Sequence, residues 1–465
     1  MLGLATMLAG CAAPDTGPRA ALHGADTLRA QGTLAQVALS DAAWPQGNWW
    51  ERYGDAQLNG LITEALKLSP NLKMAEARVR QAQAIVGRNE AADGLQVGFN
   101  ERTARQRFSE HGTTPPPVAG TWKWVNEATF NGSYEFDFWG KNRAAIESAV
   151  GVTHAVEADA HASQLLLVTN ILRSYVRLQQ AWAQRDIAVA TLAQREHILA
   201  LTQQRVTARI DSNVDLKQAE SLVPGAKLQI AQLDEAIQLS QAELGALAGQ
   251  GPDRGLALTR PMLKETRAAL LPTNVPAELI GRRPDVVAQR WRVEASGHEI
   301  DVAKAQFYPN ISLTGLIGLQ SITFTNADVL GSRIGALGPA ISLPIFDGGR
   351  LKSNLAGRDA DYDFAVEQYN ATVIDALRDV VSQLVSLRAI EHQRALQREA
   401  LATADQAYQL ALQRYKAGVG NYLQVLTAQL QLLATQRQAT DLDMRALDSD
   451  VALARALGGG VLPQS

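Results

Sequence analysis

The sequence predicts a mainly α-helical chain with a membrane β-barrel. Two tandem structural repeats would give a trimeric 12-stranded β-barrel continued by a long α-helical, coiled-coil barrel. Three observations carry this reading. First, 72 residues from Val152 to Val223, 60 from Arg358 to Ala417 and 37 from Asn421 to Leu457 pass without one Gly or Pro. Helices of about 60 to 70 residues reach roughly 90 to 105 Å, several times the diameter of a compact domain. Second, Arg205–Gly249 superimposes ungapped on Arg414–Gly458 at an offset of 209, pairing Ala219 with Ala428 and Leu244 with Leu453. A repeat of this kind fixes the architecture before any single element does. Third, Trp122–Phe138 alternates between a greasy, aromatic face and a polar one.

Composition narrows the field. The 465 residues carry a net charge of −3, with acids and bases interspersed, so no basic face exists for nucleic acid. A single cysteine, Cys11, excludes an intramolecular disulfide and a thiolate metal cluster. No run approaches the ~20 apolar residues of a membrane-spanning helix, so any contact with a bilayer takes another form.

The N-terminus supplies one form. Residues 1–10 read as the remnant of a signal peptide, and Leu8-Ala9-Gly10-Cys11 resembles the bacterial lipoprotein signal, in which the cysteine becomes the lipidated N-terminus. Residues 11–56 then form a lipidated tether. Ala12 follows the cysteine; in bacterial lipoproteins an aspartate there usually signals retention at the inner membrane, so the resemblance favours the outer membrane.

Repeat one spans 57–275, with an equatorial helix, a β-hairpin over 95–138 and long helices over 141–249. Repeat two spans 276–458, with an equatorial helix, a hairpin over 307–346 and long helices over 350–457; residues 459–465 are a C-terminal tail. Phe138-x-Gly140 matches Phe346-x-Gly348 at an offset of 208, and Pro70 with Arg78 matches Pro284 with Arg292 at 214, so the shifts fall in loops. On the first long helix, Ile171, Tyr175, Leu178, Trp182, Val189, Leu192, Leu199, Val206 and Ile210 follow alternating steps of three and four, a coiled-coil seam. Leu423, Leu426, Leu430, Leu433, Met444, Leu447, Val451 and Ala454 repeat the pattern on the last helix.

Four strands are expected, Leu95–Phe108, Thr121–Phe138, Phe307–Gln320 and Arg333–Phe346. Trp122, Trp124, Phe130, Tyr134, Phe136 and Phe138 share one face of the second, opposite Lys123, Glu127, Thr129, Asn131, Glu135 and Asp137. Such alternation over about ten residues is the signature of an outer-membrane barrel strand and equally of a half-buried soluble sheet; Tyr134, Phe136, Phe138 and Trp139 bunched near one strand end, with the lipoprotein signal, favour the barrel. Loops 109–120 and 321–332 close the hairpins. Four strands leave open edges that lipid cannot satisfy, so the barrel must be oligomeric. Two chains give eight strands with a filled interior, and three chains give the smallest open bore.

Four stretches point further: Trp49-Trp50-Glu51-Arg52-Tyr53-Gly54-Asp55 with Gln57-Leu58-Asn59; Gly281-Arg282-Arg283-Pro284-Asp285-Val286; Phe307-Tyr308-Pro309-Asn310-Ile311-Ser312-Leu313; and Arg414-Tyr415-Lys416-Ala417-Gly418-Val419-Gly420-Asn421-Tyr422-Leu423. In this order, on this repeat architecture, the chain resembles the outer-membrane factors of tripartite efflux pumps, the TolC-like channels, and within them the NodT-type lipoprotein branch. The resemblance implies a homotrimer in the outer membrane, anchored by lipid and extending into the periplasm. It implies a periplasmic adaptor (membrane fusion) protein and an inner-membrane pump as partners, and an equatorial belt of shorter helices near 57–93 and 276–305.

The resemblance also implies that the helix-to-helix turns Arg205–Leu216 and Arg414–Val425 form a periplasmic gate. Asp211 and Asp215 stand where the family places rings of acids, while Gly420 and Gln424 occupy the equivalent positions of repeat two. Around a three-fold axis the acids would attract cations and raise one another's pKa. As an alternative, Asp211 is an N-cap. Arg205, Arg414 and Tyr415 are expected to hold the turns closed, and Arg209, Ile210, Gly418 and Val419 to meet the adaptor.

No cofactor, metal site or catalytic residue is expected: the sequence holds no nucleophile elbow, no phosphate-cradling Gly loop and no zinc-binding His pair. Two alternatives stay open, an exit duct for protein or oligosaccharide secretion and a pore-free lipid-anchored coiled-coil scaffold.

Overall fold

The computed structural model describes residues 17–24, 44–45, 47–264, 281–322 and 331–460. Cys11, residues 265–280 and most of the second hairpin loop lie outside the described residues. In chain order the elements are a 3-10 turn at Trp49–Tyr53, α1 (Ala56–Leu68), α2 (Pro70–Asp93), β1 (Gln96–Arg107), β2 (Trp122–Phe136), α3 (Lys141–Thr207), α4 (Asn213–Leu247), the one-turn α5 (Asp253–Leu256), α6 (Pro284–Ala305), β3 (Asn310–Ser321), β4 (Arg333–Ser342), α7 (Arg350–Lys416) and α8 (Tyr422–Ala456).

The repeat is exact in helix length. Both α3 and α7 have 67 residues, and both α4 and α8 have 35. The equatorial stretch 57–93 is two helices, broken where Pro70 opens α2; Pro284 opens α6 in the same way. Proline suits a first helical position, where its missing N–H has no partner to lose. Pro224 lies inside α4, which continues to Leu247 beyond the Pro-free run.

The contacts divide the chain into two compact units that cut across the repeats. One takes the described residues within Met1–Leu22, Arg78–Val156 and Ala288–Asn370, the other those within His23–Ala77, Glu157–Val287 and Ala371–Ser465.

The first unit holds a four-stranded antiparallel sheet in the order β1-β2-β3-β4. Strand register puts Phe99 opposite Phe130 and Phe130 opposite Ile317. Directly opposed residues share a face, so the alternation in β2 extends across all four strands. Phe99, Phe130, Ile317, Leu337 and Ile341 are each more than half exposed on that face. The ladder of β4 stops at Ser342, short of the expected Phe346; Pro344 follows at once and brings no donor. β3 starts at Asn310, after the tight turns of Phe307 and Tyr308 onto Lys304 and Ala305, so Phe307 precedes the strand. The described part of the N-terminal segment lies along α7: Arg19 pairs with Asp359 at 3.0 Å, the Ala20 N–H donates to Asp363 Oδ1 at 2.8 Å, and Asn370 Nδ2 donates to the Ala21 carbonyl at 3.1 Å.

The second unit is helical. Its core gathers Trp49, Tyr53, Leu58, Ile62, Ile171, Leu172, Tyr175, Leu244 and Val451. Asp55 joins the pieces: its carboxylate caps α1 through the Gln57 and Leu58 N–H groups and accepts from Tyr175 Oη and the Met262 N–H, both at 2.9 Å. The coiled-coil expectation holds for Ile171, Tyr175, Leu178, Leu433, Met444, Leu447, Val451 and Ala454, all buried. Val189, Ile210, Leu423 and Leu430 are instead exposed in the single chain. A three-four spacing drifts about 20° per heptad against a straight helix, which carries the stripe off the intramolecular contact. Ile210 lies beyond the end of α3.

Candidate functional site

The two helix-to-helix turns lie in the second unit and end their helices alike. After α3, the Ile210 N–H donates to the Arg205 carbonyl and the Arg209 N–H to that of Val206, both at 2.9 Å. After α7, Val419 donates to Arg414 and Gly418 to Tyr415, both at 3.1 Å. These paired bonds form a Schellman motif, which needs a left-handed residue at its fifth position. Gly418 supplies it at φ +80°, whereas in repeat one Arg209 does so at φ +60°. A left-handed conformation costs a non-glycine residue about 1 kcal/mol or more, so the first turn is held in place by other contacts.

Those contacts converge on Asp211. Arg205 donates to its carboxylate from Nε at 2.8 Å and Nη2 at 3.1 Å, and Tyr415 Oη donates at 2.6 Å. Because the phenol has one proton and gives it to Asp211, the Thr202 hydroxyl at 2.9 Å is the donor to Tyr415 Oη. Arg205 also donates from Nη1 to the Tyr415 carbonyl at 2.9 Å, and its guanidinium lies 4.4 Å from the tyrosine ring centroid. The side chains of Arg205 and Asp211 are 9% and 8% exposed. One buried charge pair thus joins the end of α3, its following turn and the end of α7.

The electrostatics of the cluster follow from these contacts. Burial alone would raise the Asp211 pKa, but the hydrogen bonds from Arg205 and Tyr415 and the guanidinium charge outweigh it and hold the carboxyl below the usual aspartate range. Burial and the bond to Asp211 push the Tyr415 phenol up to about 12. Within one protomer Asp211 is therefore the charged partner of Arg205, and that pair holds its pKa down.

The remaining sequence-named residues sort clearly. Asp215 forms a capping box with Ser212: its carboxylate accepts from the Ser212 N–H at 3.0 Å, and its own N–H donates to Ser212 Oγ at 3.3 Å. The N-cap of α4 is thus Ser212, and the alternative of Asp211 as N-cap is corrected. Asn421 caps α8 at the equivalent place, accepting from the Gln424 N–H at 3.0 Å. Among the described residues the Arg414 side chain is exposed and joins neither aspartate; its carbonyl accepts from Val419 and Gly420 instead. Arg209, Ile210, Gly418 and Val419 are all exposed. So are Val214 and Leu423, which the offset of 209 makes equivalent, and each turn therefore presents two apolar side chains to solvent. Thr202, Ser212 and Asn421 were not singled out by sequence reasoning. The S-x-x-D spacing of Ser212 and Asp215 was the signal that could have found one of them.

Comparison with known proteins places this geometry in context. The family described as outer membrane efflux protein matches residues 61–250 and 275–459. The chain is 40% identical over 364 residues to the fusaric acid resistance protein FusA of Burkholderia cepacia, covering 77% of this chain and 68% of that one. It is 31% identical over 481 residues to the multidrug resistance outer membrane protein MdtP of Escherichia coli, covering 99% and 95%. Among solved structures, the outer membrane protein VceC of Vibrio cholerae superimposes with a TM-score of 0.85 at 37% identity, covering 90% of this chain and all of the other.

Proposed function

Because the chain belongs to the outer membrane efflux protein family, we infer that it is the outer-membrane exit duct of an efflux pump, a passive conduit with no catalytic step of its own. The carrying observation is the sheet of the first unit: its apolar face is exposed across four strands while β1 and β4 keep unpaired edges. An open edge is not tolerated in lipid, so copies of the chain close the sheet among themselves. Three copies give twelve strands and a bore wide enough for cargo. The relatives are named for fusaric acid and multidrug resistance, which supports small toxic organic molecules as cargo and disfavours the secretion and scaffold alternatives.

In this reading the Arg205–Asp211–Tyr415 cluster is the latch of the periplasmic gate. It ties the two turns together, so opening must break a buried charge pair. The exposed Arg209, Ile210, Gly418 and Val419 are where an adaptor protein, recruited with its inner-membrane pump, would dock. Cys11 is the lipid anchor. Arg19 contacts Asp359, nine residues into α7, or about 14 Å along the helix from its start at the barrel rim. The eight residues from Cys11 to Arg19 span up to about 26 Å when extended, enough to return the acyl chains to the bilayer. The test of the whole reading is planar-bilayer conductance together with heat-modifiable migration of the purified protein. A chain that stays soluble and never conducts would refute it.

A further inference from the structure

We propose that the outward face of the β1–β2 hairpin, at its loop end, docks the phosphorylated headgroups of an anionic glycolipid in the outer leaflet. This rests on the barrel reading above, which fixes which face meets lipid.

Height along the barrel decides what each row of residues meets. A strand rises about 3.4 Å per residue, and a tilt near 40° leaves about 2.6 Å of height, so an apolar band of about 25 Å covers some ten residues. Counted from Phe136 at the end nearest the helices, that band closes at Asn126. Glu101, opposed to Ala128, is the first polar group on the outward face, and at the next row Thr103, Asn126 and Ser321 stand side by side across three strands, with Thr103 Oγ1 donating to Glu101 Oε1 at 2.9 Å. Above it Arg105 is opposed to Trp124 and Arg107 to Trp122.

Both arginines share the face of the indoles: the Arg105 guanidinium lies 6.0 Å from the Trp122 ring centroid. Arg105, Arg107, Trp122 and Trp124 are all exposed. Arg107 pairs with Glu110 at 3.0 Å, and among the described residues Arg105 forms no ion pair. The face therefore carries excess positive charge just above the hydrocarbon.

Arg333, the first residue of β4, also faces outward, but it shares a row with Leu319, Ala128 and Glu101, so it stands nearer the helices than Arg105 and brings no excess charge beyond that of Glu101. Two indoles at the interface, the Arg105 guanidinium without an ion pair among the described residues, and Arg107 shared with the exposed Glu110 fit a lipid-borne phosphate. Arginine forks bind phosphate oxygens in pairs, and tryptophan settles at headgroup level. At the same height the opposite face presents Gln106 against Lys123, which meets the bore and serves as an internal control.

The experiment is native mass spectrometry of the purified trimer incubated with diphosphorylated lipid A, with dephosphorylated lipid A, and with inorganic phosphate as competitor. Wild type is expected to retain the diphosphorylated lipid and not the dephosphorylated one. Arg105→Gln/Arg107→Gln should weaken retention about thirty-fold, from roughly fivefold per arginine at an anionic membrane surface. Arg105→Lys/Arg107→Lys should keep most of it, and Lys123→Gln all of it. Equal retention by wild type and the glutamine variant, equal loss with Lys123→Gln, equal binding of dephosphorylated lipid, or displacement by free phosphate would each overturn the proposal. Conductance of every variant is recorded alongside: a channel that conducts normally but has lost the lipid supports the site, and a wild type that never conducts indicts the barrel instead.

Discussion

Replacing Asp211 by alanine removes the acceptor of three hydrogen bonds, two from Arg205 and one from Tyr415. Hydrogen bonds to charged groups contribute about 1.5–3 kcal/mol each but do not add, and breaking a buried pair costs about 3–5 kcal/mol when the surviving charge has nowhere to go. Here Arg205 keeps the Tyr415 carbonyl and the tyrosine ring. The lower figure of about 2–3 kcal/mol therefore applies, and it raises the population of opened turns about 30- to 150-fold. Single-channel recording should show a larger or more frequently open conductance for Asp211→Ala. The same cluster fixes a pH response. Because the folded Asp211 pKa is depressed, its contribution is complete above the unfolded value near 4 and is lost as the pH falls through the folded value. Wild type should hold its closed conductance at pH 5 and loosen only below the ordinary aspartate range, while Asp211→Ala shows no such step. At the alkaline end the Tyr415 contribution is present below about 10 and lost as the pH rises through about 12. Identical conductance and identical cation-to-anion permeability in mutant and wild type would show that the cluster is an ordinary helix-end contact and that the gate lies elsewhere.

Three further outcomes are expected. Phe130→Arg, near mid-membrane on the lipid face, should cost about 2–4 kcal/mol and reduce assembled trimer on unheated gels. Its lumenal control is Asn100→Arg, because Thr129, on the polar face of β2, is buried beside Gly318 and would damage the sheet itself; equal damage from Phe130→Arg and Asn100→Arg would put the register in error. Cys11→Ser should lose its acyl chains by mass spectrometry yet stay membrane-bound as trimer, provided another signal directs export, and complete solubility would count against the barrel. Ile210→Asp with Val419→Asp should leave thermal stability within about 0.5 kcal/mol, since both side chains are exposed, but weaken cross-linking of the turns to the adaptor protein; undiminished cross-linking would place the adaptor contact elsewhere.

What was legible in the sequence follows the range of the forces involved. Helices of 67 and 35 residues show as runs without Gly or Pro, because breaking residues act locally. The strand faces show because side chains alternate with a period of two, and the register then extends one strand's pattern across the sheet. Burial along the long helices was read less well: Val189 and Leu430 fit the seam by spacing yet are exposed, since spacing alone does not say which neighbour a stripe meets. The site was legible in its members and not in its geometry. Arg205, Asp211 and Tyr415 could be named, but their meeting depends on two helix ends more than 200 residues apart in sequence.

The absence of an acid at Gly420 also has a physical cause that only coordinates reveal. A Cβ built there would lie 3.1 Å from the Arg414 carbonyl carbon, from Arg414 Cβ and from the Tyr415 nitrogen, tighter than ordinary contact. The Gly420 N–H reaches the Arg414 carbonyl at 3.0 Å, whereas in repeat one Asp211 reaches that of Arg205 at 3.4 Å. The first turn is the slacker of the two and so has room for a side chain. In exchange it forgoes the glycine that would relax its left-handed residue, Arg209. The two halves thus divide the work: repeat two closes its turn through backbone fit, and repeat one through the charge pair of Arg205 with Asp211, which Tyr415 of repeat two completes. In the proposed gate, a ring built this way carries one latch per protomer, in the first turn, so substitutions at Asp211 should act on gating far more strongly than any at Gln424, the neutral counterpart of Asp215.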